Sequence, residues 1–247
     1  MKKTVYSITI LILFAFALTA NSQDKKGKSV ADNSISKKEA KQGWKLLFDG
    51  KSGNAWMNSK TGTFPSGGWV IEDGLLKIKP GSDGGDIVSK DKFRNFELML
   101  DFRYTPGANS GIKYFIDTER DGGKMASIGC EYQILDDRLH PDAKAGKNGN
   151  RKLSSLYDLI PAQNVKDNGS DQWNTARIVV NGNKVQHWIN GQMTVEYERG
   201  SETWKKAVSE SKFNKTSGFG DVQDTRILLQ DHGNEVWFRN IKIREIK

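Results

Sequence analysis

The stretch Phe96-Glu97-Leu98-Met99-Leu100-Asp101-Phe102-Arg103-Tyr104 decides the fold class. Its aromatic residues and leucines occupy every second position, and charged residues and a methionine stand between them. Side chains of a β-strand point alternately to the two faces of a sheet, so this period of two predicts a strand with one buried face. The chain therefore contains a long strand that packs against a core.

The same alternation continues after this strand. Residues 112–116 place Ile112, Tyr114 and Ile116 on one face and Lys113 and Phe115 on the other. This pattern predicts a second strand directly after the Gly- and Pro-containing segment that ends the first one.

Further strands follow towards the C-terminus. Residues 177–180 and 185–189 flank Asn181-Gly182-Asn183, which has the chemistry of a hairpin turn, and Asn190-Gly191 leads into a strand at 193–197. Residues 227–230 and 236–243 are predicted as a last pair around a hairpin turn at 231–234. Only residues 202–211 have a helical pattern. Many short strands with glycine turns predict an all-β domain of two packed sheets, a sandwich or a jelly roll.

The N-terminus has the pattern of a cleaved secretory signal. Lys2 and Lys3 precede an uncharged apolar run from Val5 to Ala20, and small residues end it, so cleavage is expected after Ser22. The run is shorter than the ~20 residues of a spanning helix, so no membrane span is expected in the mature form. We therefore predict a signal peptide at 1–22, a disordered linker at 23–42, one domain at 43–247, and a periplasmic or secreted location.

The charge distribution argues against a nucleic-acid partner. The formal net charge is +8, but residues 1–42 contribute +5 of it. The predicted domain is therefore weakly basic with mixed signs, which is an ordinary solvated surface. The single cysteine, Cys130, excludes an intrachain disulfide and is interpreted as a small buried apolar side chain. Zinc-site spacing, a phosphate-binding loop and a serine nucleophile elbow are all absent from the sequence.

One polar segment stands out as a candidate site. In Cys130-Glu131-Tyr132-Gln133-Ile134-Leu135-Asp136, the alternation places Glu131 and Gln133 on the face opposite the core, roughly 7 Å apart. Asp136 comes where the strand ends, and His140 follows in the loop. A carboxylate, an amide and an imidazole on one surface can transfer protons and hold sugar hydroxyls, but an exposed polar strand face would have the same pattern. Glu131, Asp136 and His140 are ligand types that a divalent metal accepts, yet their spacing is not diagnostic, and no metal or cofactor is predicted.

Several motifs, taken in order, resemble the 3-keto-disaccharide hydrolase family, formerly a domain of unknown function. The resemblance spans residues 43–247 and rests on segments that occur in the same order: Gly43-Trp44-Lys45-Leu46-Leu47-Phe48-Asp49-Gly50-Lys51-Ser52, Trp69-Val70-Ile71-Glu72-Asp73-Gly74-Leu75-Leu76, Ala108-Asn109-Ser110-Gly111-Ile112, Glu131-Tyr132-Gln133-Ile134-Leu135-Asp136, Trp173-Asn174, Asn190-Gly191, Leu229-Gln230-Asp231-His232-Gly233 and Val236-Trp237-Phe238-Arg239-Asn240-Ile241. Each motif alone is weak, but their common order is specific.

The resemblance implies a concanavalin A-like jelly-roll sandwich that cleaves glycosides oxidised to a ketone at C3, with a carbohydrate as its substrate. The chain lacks the Glu-x-Asp-x-Glu strand of the related glucanases, and Gln133 cannot be the second carboxylate of ordinary retaining hydrolysis. Elimination needs one base, one proton donor and groups that stabilise an enolate. On this basis Glu131, Asp136 and His140 are the candidate catalytic residues. The candidate substrate-binding residues are Arg103, Asn109, Lys113, Gln133, Tyr157, His232 and Arg239.

Two other functions fit the same sequence. A carbohydrate-binding module would share the fold and the polar face but would release no product. A structural surface domain would lack clustered aromatic and acidic residues on its concave face. Turnover of an oxidised disaccharide separates the enzyme from both alternatives. The sequence does not determine the oligomeric state.

Overall fold

The computed structural model describes Met1 and residues 32–81, 84–118 and 127–246. These residues form thirteen strands, two α-helices and a short 3₁₀ helix at Pro141–Lys144. The helices are α1 (Lys37–Lys41) and α2 (Glu202–Ser209). The strands are β1 (Lys45–Leu46), β2 (Trp56–Asn58), β3 (Trp69–Glu72), β4 (Leu75–Ile78), β5 (Ile87–Ser89), β6 (Phe96–Tyr104), β7 (Asn109–Ile116), β8 (Cys130–Leu135), β9 (Asn174–Asn181), β10 (Lys184–Ile189), β11 (Gln192–Glu198), β12 (Arg226–Leu229) and β13 (Val236–Glu245).

The strands form two antiparallel sheets that pack as a jelly-roll sandwich. The large sheet has the order β11-β10-β9-β6-β13-β4-β3, with β1 paired to β13, and the small sheet has the order β2-β5-β12-β7-β8. The core lies between them, and the alternate residues of β6 from Phe96 to Tyr104 are buried in it as predicted. The all-β sandwich expected from the sequence is confirmed. Within the described ranges, no helix is long and apolar enough to cross a membrane.

A bulge in β7 corrects the predicted alternation of that strand. Phe115 has a positive φ of 54°, and the pairing of β7 with β12 shifts register at this point. A bulge inserts one extra residue, so the side chains after it face the opposite way from the simple alternation. Phe115 therefore packs in the main core, whereas Ile116 lies in a small separate cluster with Val88 and Leu228.

The predicted hairpin at 231–234 is wrong. The strands on either side of it, β12 and β13, belong to different sheets. The segment therefore crosses from one layer of the sandwich to the other, which is a normal connection in a jelly roll but has the same turn residues as a hairpin. As a result, His232 lies in the connection just beyond the end of β12 rather than at the tip of a two-stranded ribbon.

The prediction of a disordered linker is wrong for residues 32–42, which pack on the large sheet. Ser36 caps α1 in a reciprocal capping box with Glu39, and Glu39 forms an ion pair with Lys242. Asn33 exchanges hydrogen bonds with Asn240, whose side chain accepts from the Asn33 backbone at 2.6 Å. Residues 2–22 of the predicted signal peptide and residues 23–31 lie outside the described residues.

Candidate active site

The candidate site lies on the outer face of the small sheet, where β7 and β8 run side by side. The register pairs Gly111 with Gln133 and Lys113 with Glu131. Alternation along the two strands turns Glu131, Gln133 and Lys113 away from the core, as predicted for Glu131 and Gln133. These side chains form the floor of a cavity of about 570 Å³, a volume typical of small-molecule sites.

A covering segment at 153–157 buries this polar face. It lies along the free edge of β8, where Ser154 N donates to the Gln133 carbonyl at 2.8 Å and Tyr157 N donates to the Glu131 carbonyl at 3.0 Å. Glu131 is therefore only 6% exposed and Gln133 only 1% exposed. The segment follows β8 by some twenty residues and has no strand pattern, so the sequence suggested an open face instead.

Glu131 is held by two amides and a lysine. With the amides oriented so that donors meet acceptors, Gln133 and Gln230 both donate to Glu131 Oε1, at 3.1 and 3.3 Å. Lys113 Nζ lies 3.5 Å from the other carboxylate oxygen. Burial raises the pKa of Glu131, and the charges of Lys113 and Lys212 oppose this shift. The result is a carboxylate of fixed orientation with an increased tendency to take up a proton.

Gly111 makes room for this carboxylate. A Cβ atom at position 111 would lie 2.4 Å from Glu131 Oε1 and 2.9 Å from its carboxyl carbon. The side chain of Glu131 thus leans across the β7 backbone, which only a glycine permits. The Asn-Ser-Gly motif therefore has a specific structural purpose beyond that of a turn.

The opposite wall is built around Tyr157. Its hydroxyl donates to Asp142 Oδ2 at 2.8 Å, and Arg151 donates to the other oxygen of Asp142 at 2.9 Å. Lys212 Nζ lies 4.2 Å from the centre of the Tyr157 ring. Burial, followed by the bond to Asp142, raises the pKa of Tyr157. Tyr157 thus presents an aromatic face to the cavity while its proton is committed to Asp142.

Seven of the ten predicted site residues line the cavity. Asn109 lies at one end of it, where its Oδ1 is buried without a hydrogen-bond partner in the described structure. His140 lies in the wall, and its Nδ1 accepts from Asp142 N at 3.2 Å. His232, the third imidazole of the chain, is exposed at the rim. The cavity-lining residues among those predicted are Asn109, Lys113, Glu131, Gln133, His140, Tyr157 and His232.

Asp136 is placed differently from the prediction, outside the cavity. Its oxygens accept from the backbone N–H groups of Gly107, Arg138 and Leu139 at 3.0 to 3.3 Å. Burial opposes ionisation of Asp136, but the three donors outweigh it and lower the pKa. The carboxylate caps a turn and has no oxygen free for substrate or metal. No cluster of three or more His, Cys, Asp or Glu that could hold a metal ion occurs within the described residues.

Arg103 and Arg239 are also outside the cavity, on the outer face of the large sheet. The Arg103 guanidinium stacks on Trp237 at 4.1 Å and on Trp173 at 5.1 Å. Arg239 stacks on Trp173 and pairs with Asp32 at 2.6 Å. Both arginines belong to a stacked layer on the far side of the sandwich, so the substrate-binding role predicted for them does not fit their position.

The sequence missed several polar groups that line or support the cavity. Lys212 lines it from a loop and Asp142 from the 3₁₀ helix, both without periodicity, and Gln230 was interpreted only as part of a strand end and its turn. Arg151 and Asp158 lie behind the wall and hold it together through a bond of 2.6 Å. None of these residues carries a local pattern, and only the folded chain brings them to the site.

Comparison with known proteins gives a consistent result. Residues 43–244 match the family model described as the 3-keto-alpha-glucoside-1,2-lyase-like domain. A curated relative from Bacteroides thetaiotaomicron, the 3-keto-disaccharide hydrolase, is 32% identical over 99% of both chains. Two crystal structures of candidate glycosyl hydrolases from Parabacteroides distasonis are each 27% identical. The first covers 88% of this chain and 100% of its own with a TM-score of 0.78, and the second covers 82% and 99% with a TM-score of 0.60.

Proposed function

This chain belongs to the 3-keto-alpha-glucoside-1,2-lyase-like domain family and is a glycoside-cleaving enzyme, and from that premise we propose that it acts on glycosides oxidised to a ketone at C3. The observation that carries the proposal is the carboxylate of Glu131 at the cavity floor, the single buried carboxylate among the described residues that line the cavity. Ordinary retaining hydrolysis needs two carboxylates ~5 Å apart. The other carboxylate in the described part of the lining, Asp142, is bound on both oxygens by Arg151 and Tyr157.

A ketone at C3 removes the need for the second carboxylate. It acidifies the proton on C2, so one base can start an elimination that expels the substituent on C1. In this proposal Glu131 takes the C2 proton. The enone that results then accepts water at C1, which completes a net hydrolysis.

Lys113 supports both stages of this transfer. Its charge lies 3.5 Å from Glu131 and balances the carboxylate before the reaction. When Glu131 becomes neutral, the same charge is left to stabilise the enolate oxygen. Gln133 and Gln230 fix the carboxylate, and the unpaired Asn109 Oδ1 is suited to accept a hydrogen bond from a sugar hydroxyl. The Tyr157 ring offers an apolar surface for one face of the sugar.

Turnover tests the proposal directly. The purified protein is incubated with a disaccharide oxidised at C3 and, in parallel, with the unoxidised disaccharide, and the released monosaccharide is measured. Release from the oxidised sugar only is expected. The Glu131→Gln variant should lose at least ~10²-fold in kcat/KM, the usual scale of acid–base catalysis. Glu72→Gln removes an exposed carboxylate on β3 and serves as the matched control. Full activity of Glu131→Gln would remove the basis of the mechanism, and binding without release would favour a carbohydrate-binding module.

We propose further that the enzyme works outside the cytoplasm. The support is the basic and apolar pattern of residues 1–22. Mass spectrometry of the protein from a cell that expresses the full chain should find a mature N-terminus at Gln23 in the periplasmic or culture fraction. An intact Met1 in the cytoplasmic fraction would contradict this location.

A further inference from the structure

Lys212 has an unusually well-defined position for a lysine in a loop. It follows α2, and its backbone N–H donates to Asp158 Oδ2 at 2.7 Å. Asp158 is itself buried and accepts from Arg151 Nε at 2.6 Å through its other oxygen. The loop is therefore fixed to the wall of the cavity at this residue, and the side chain extends from that point into the cavity lining.

The Lys212 amine has no polar partner among the described residues. It lies 4.2 Å from the ring centre of Tyr157 and 5.2 Å from that of Phe213, and it forms no ion pair or hydrogen bond with the described part of the chain. Two other proton donors of the described cavity lining have partners within the protein. Tyr157 donates to Asp142, and Lys113 donates to the Ser127 carbonyl at 3.1 Å. Of the two lysines in the described cavity lining, Lys212 is thus the one that is left available for a ligand.

We propose that Lys212 is the proton-transfer partner of Glu131, donating a proton to the oxygen that leaves C1. This inference rests on the proposed function and names the group that the elimination still lacks. The two residues come from different parts of the site: Glu131 from the sheet floor and Lys212 from the loop wall. A base and an acid on separate elements can act on two neighbouring carbons of one sugar.

The steps balance with water as the only added reactant. The Glu131 carboxylate takes the C2 proton, the C1–O bond breaks, and the Lys212 ammonium gives its proton to the leaving oxygen. Glu131 is then a neutral acid and Lys212 a neutral amine. Water adds to C1 of the enone while the amine takes a proton from it, and Glu131 returns its proton to C2. Both groups regain their first protonation state at the end of the cycle.

The electrostatic surroundings favour this exchange. Although the Lys212 side chain as a whole is exposed, its amine is desolvated against the rings, and this lowers the pKa of Lys212. Burial raises the pKa of Glu131. The two shifts bring the pKa of the acid and that of the base closer together, so a proton is more readily exchanged in both halves of the cycle.

Leaving-group dependence tests the proposal. The substrates are a 3-keto-disaccharide, whose leaving alcohol needs a proton, and the 4-nitrophenyl 3-keto-glucoside, whose leaving phenolate does not. Lys212→Met should lower kcat/KM for the disaccharide by ~10²-fold or more but for the nitrophenyl compound by less than about 5-fold, since general acid catalysis typically contributes 10²–10⁴-fold. Lys212→Arg keeps the charge but does not release a proton near neutral pH, so it should show the same selective loss.

The control is Lys215→Met, which removes an exposed cation from the same loop outside the cavity lining. It should keep the activity of the unmodified enzyme on both substrates. Equal losses on the two substrates in Lys212→Arg, or undiminished release from the disaccharide, would overturn the role of Lys212. These outcomes are distinct from failure of the proposed function, in which the unmodified enzyme itself releases nothing from either oxidised substrate.

Discussion

Gly111→Ala is the sharpest test of how the fold positions the base. The added Cβ would lie 2.4 Å from Glu131 Oε1, where ordinary contact begins at about 3.4 Å, so the carboxylate must move by about 1 Å. A misplacement of that size can cost ~10²-fold in rate. We therefore expect Gly111→Ala to lower kcat/KM for a 3-keto-disaccharide by roughly that factor. The φ of Gly111 is not in the left-handed region, so no backbone strain contributes.

Stability should change together with activity. The shifted carboxylate loses its bonds to Gln133 and Gln230 and remains buried, and overpacking of this kind costs ~1–3 kcal/mol. Urea unfolding measures this loss. Gly67→Ala is the matched control. A Cβ atom at position 67 would have no atom within 4 Å, and the φ of Gly67 is not positive. It should leave both kcat/KM and the unfolding free energy nearly unchanged.

A double-mutant cycle identifies the contact as the cause. In a Glu131→Ala background the three atoms nearest to the new Cβ are removed, so Gly111→Ala should become neutral or slightly stabilising. The coupling free energy between the two positions should then be about 1–3 kcal/mol. If Gly111→Ala destabilises both backgrounds equally, or if it keeps full activity alone, the contact with Glu131 does not explain the glycine.

Three further predictions concern parts of the chain away from the cavity. His187 is fully buried, and burial lowers its pKa to about 4. Between pH 4 and 6.5 the unfolded chain therefore binds more protons at this residue than the folded chain, and stability is lost as the pH falls through that window. Urea unfolding should show a loss of roughly 3 kcal/mol, and His187→Gln should make the unfolding free energy less dependent on pH there. Asn33→Ala removes the bonds to Gly74 and Asn240 and should lower the unfolding free energy by about 1–3 kcal/mol, whereas no change would mean that residues 32–42 do not pack as described. Cys130 is buried and its thiol pKa is raised to about 12 by burial, so a thiol reagent should label it only after unfolding, and rapid labelling of the native protein would contradict its position.

The strands were predictable because their signal is local. A period of two over residues 96–104 needs only the pleat of a strand and a single core, and the structure confirms it. The bulge at Phe115 was not predictable, since a reversal of facing depends on how β12 pairs with the strand. The crossing at 231–234 was missed for a similar reason: the sequence marks the turn but not the sheet to which the next strand belongs.

The site residues also divide into those with a local sequence signal and those without one. Glu131 and Gln133 were found because both lie on one strand, two positions apart. Arg239 lies on β13, next to a shift in the register of its pairing with β6. Its side chain lies on the far side of the sandwich, a distinction that requires knowledge of which layer β13 occupies. Lys212 has no periodic neighbour at all, and its place depends on one hydrogen bond from its backbone to Asp158. Local patterns therefore identify the floor of the cavity but not its wall.

The segment that lies along β8 is joined to the core by a polar contact between the two sheets. Ser154, in the covering segment, offers its carbonyl to His187 Nδ1 of the large sheet at 3.1 Å, and its hydroxyl lies 2.6 Å from that of Thr194. Because Nδ1 holds the proton of the neutral imidazole, Nε2 accepts from the Tyr114 hydroxyl of the small sheet at 2.6 Å. One neutral histidine thus links both sheets to the segment that closes the edge of β8. Protonation of His187 would replace an acceptor with a donor at Tyr114 and place a charge in the core. The Nδ1 proton still reaches the Ser154 carbonyl in the charged state, so the loss of stability in acid comes from the Tyr114 contact and the buried charge.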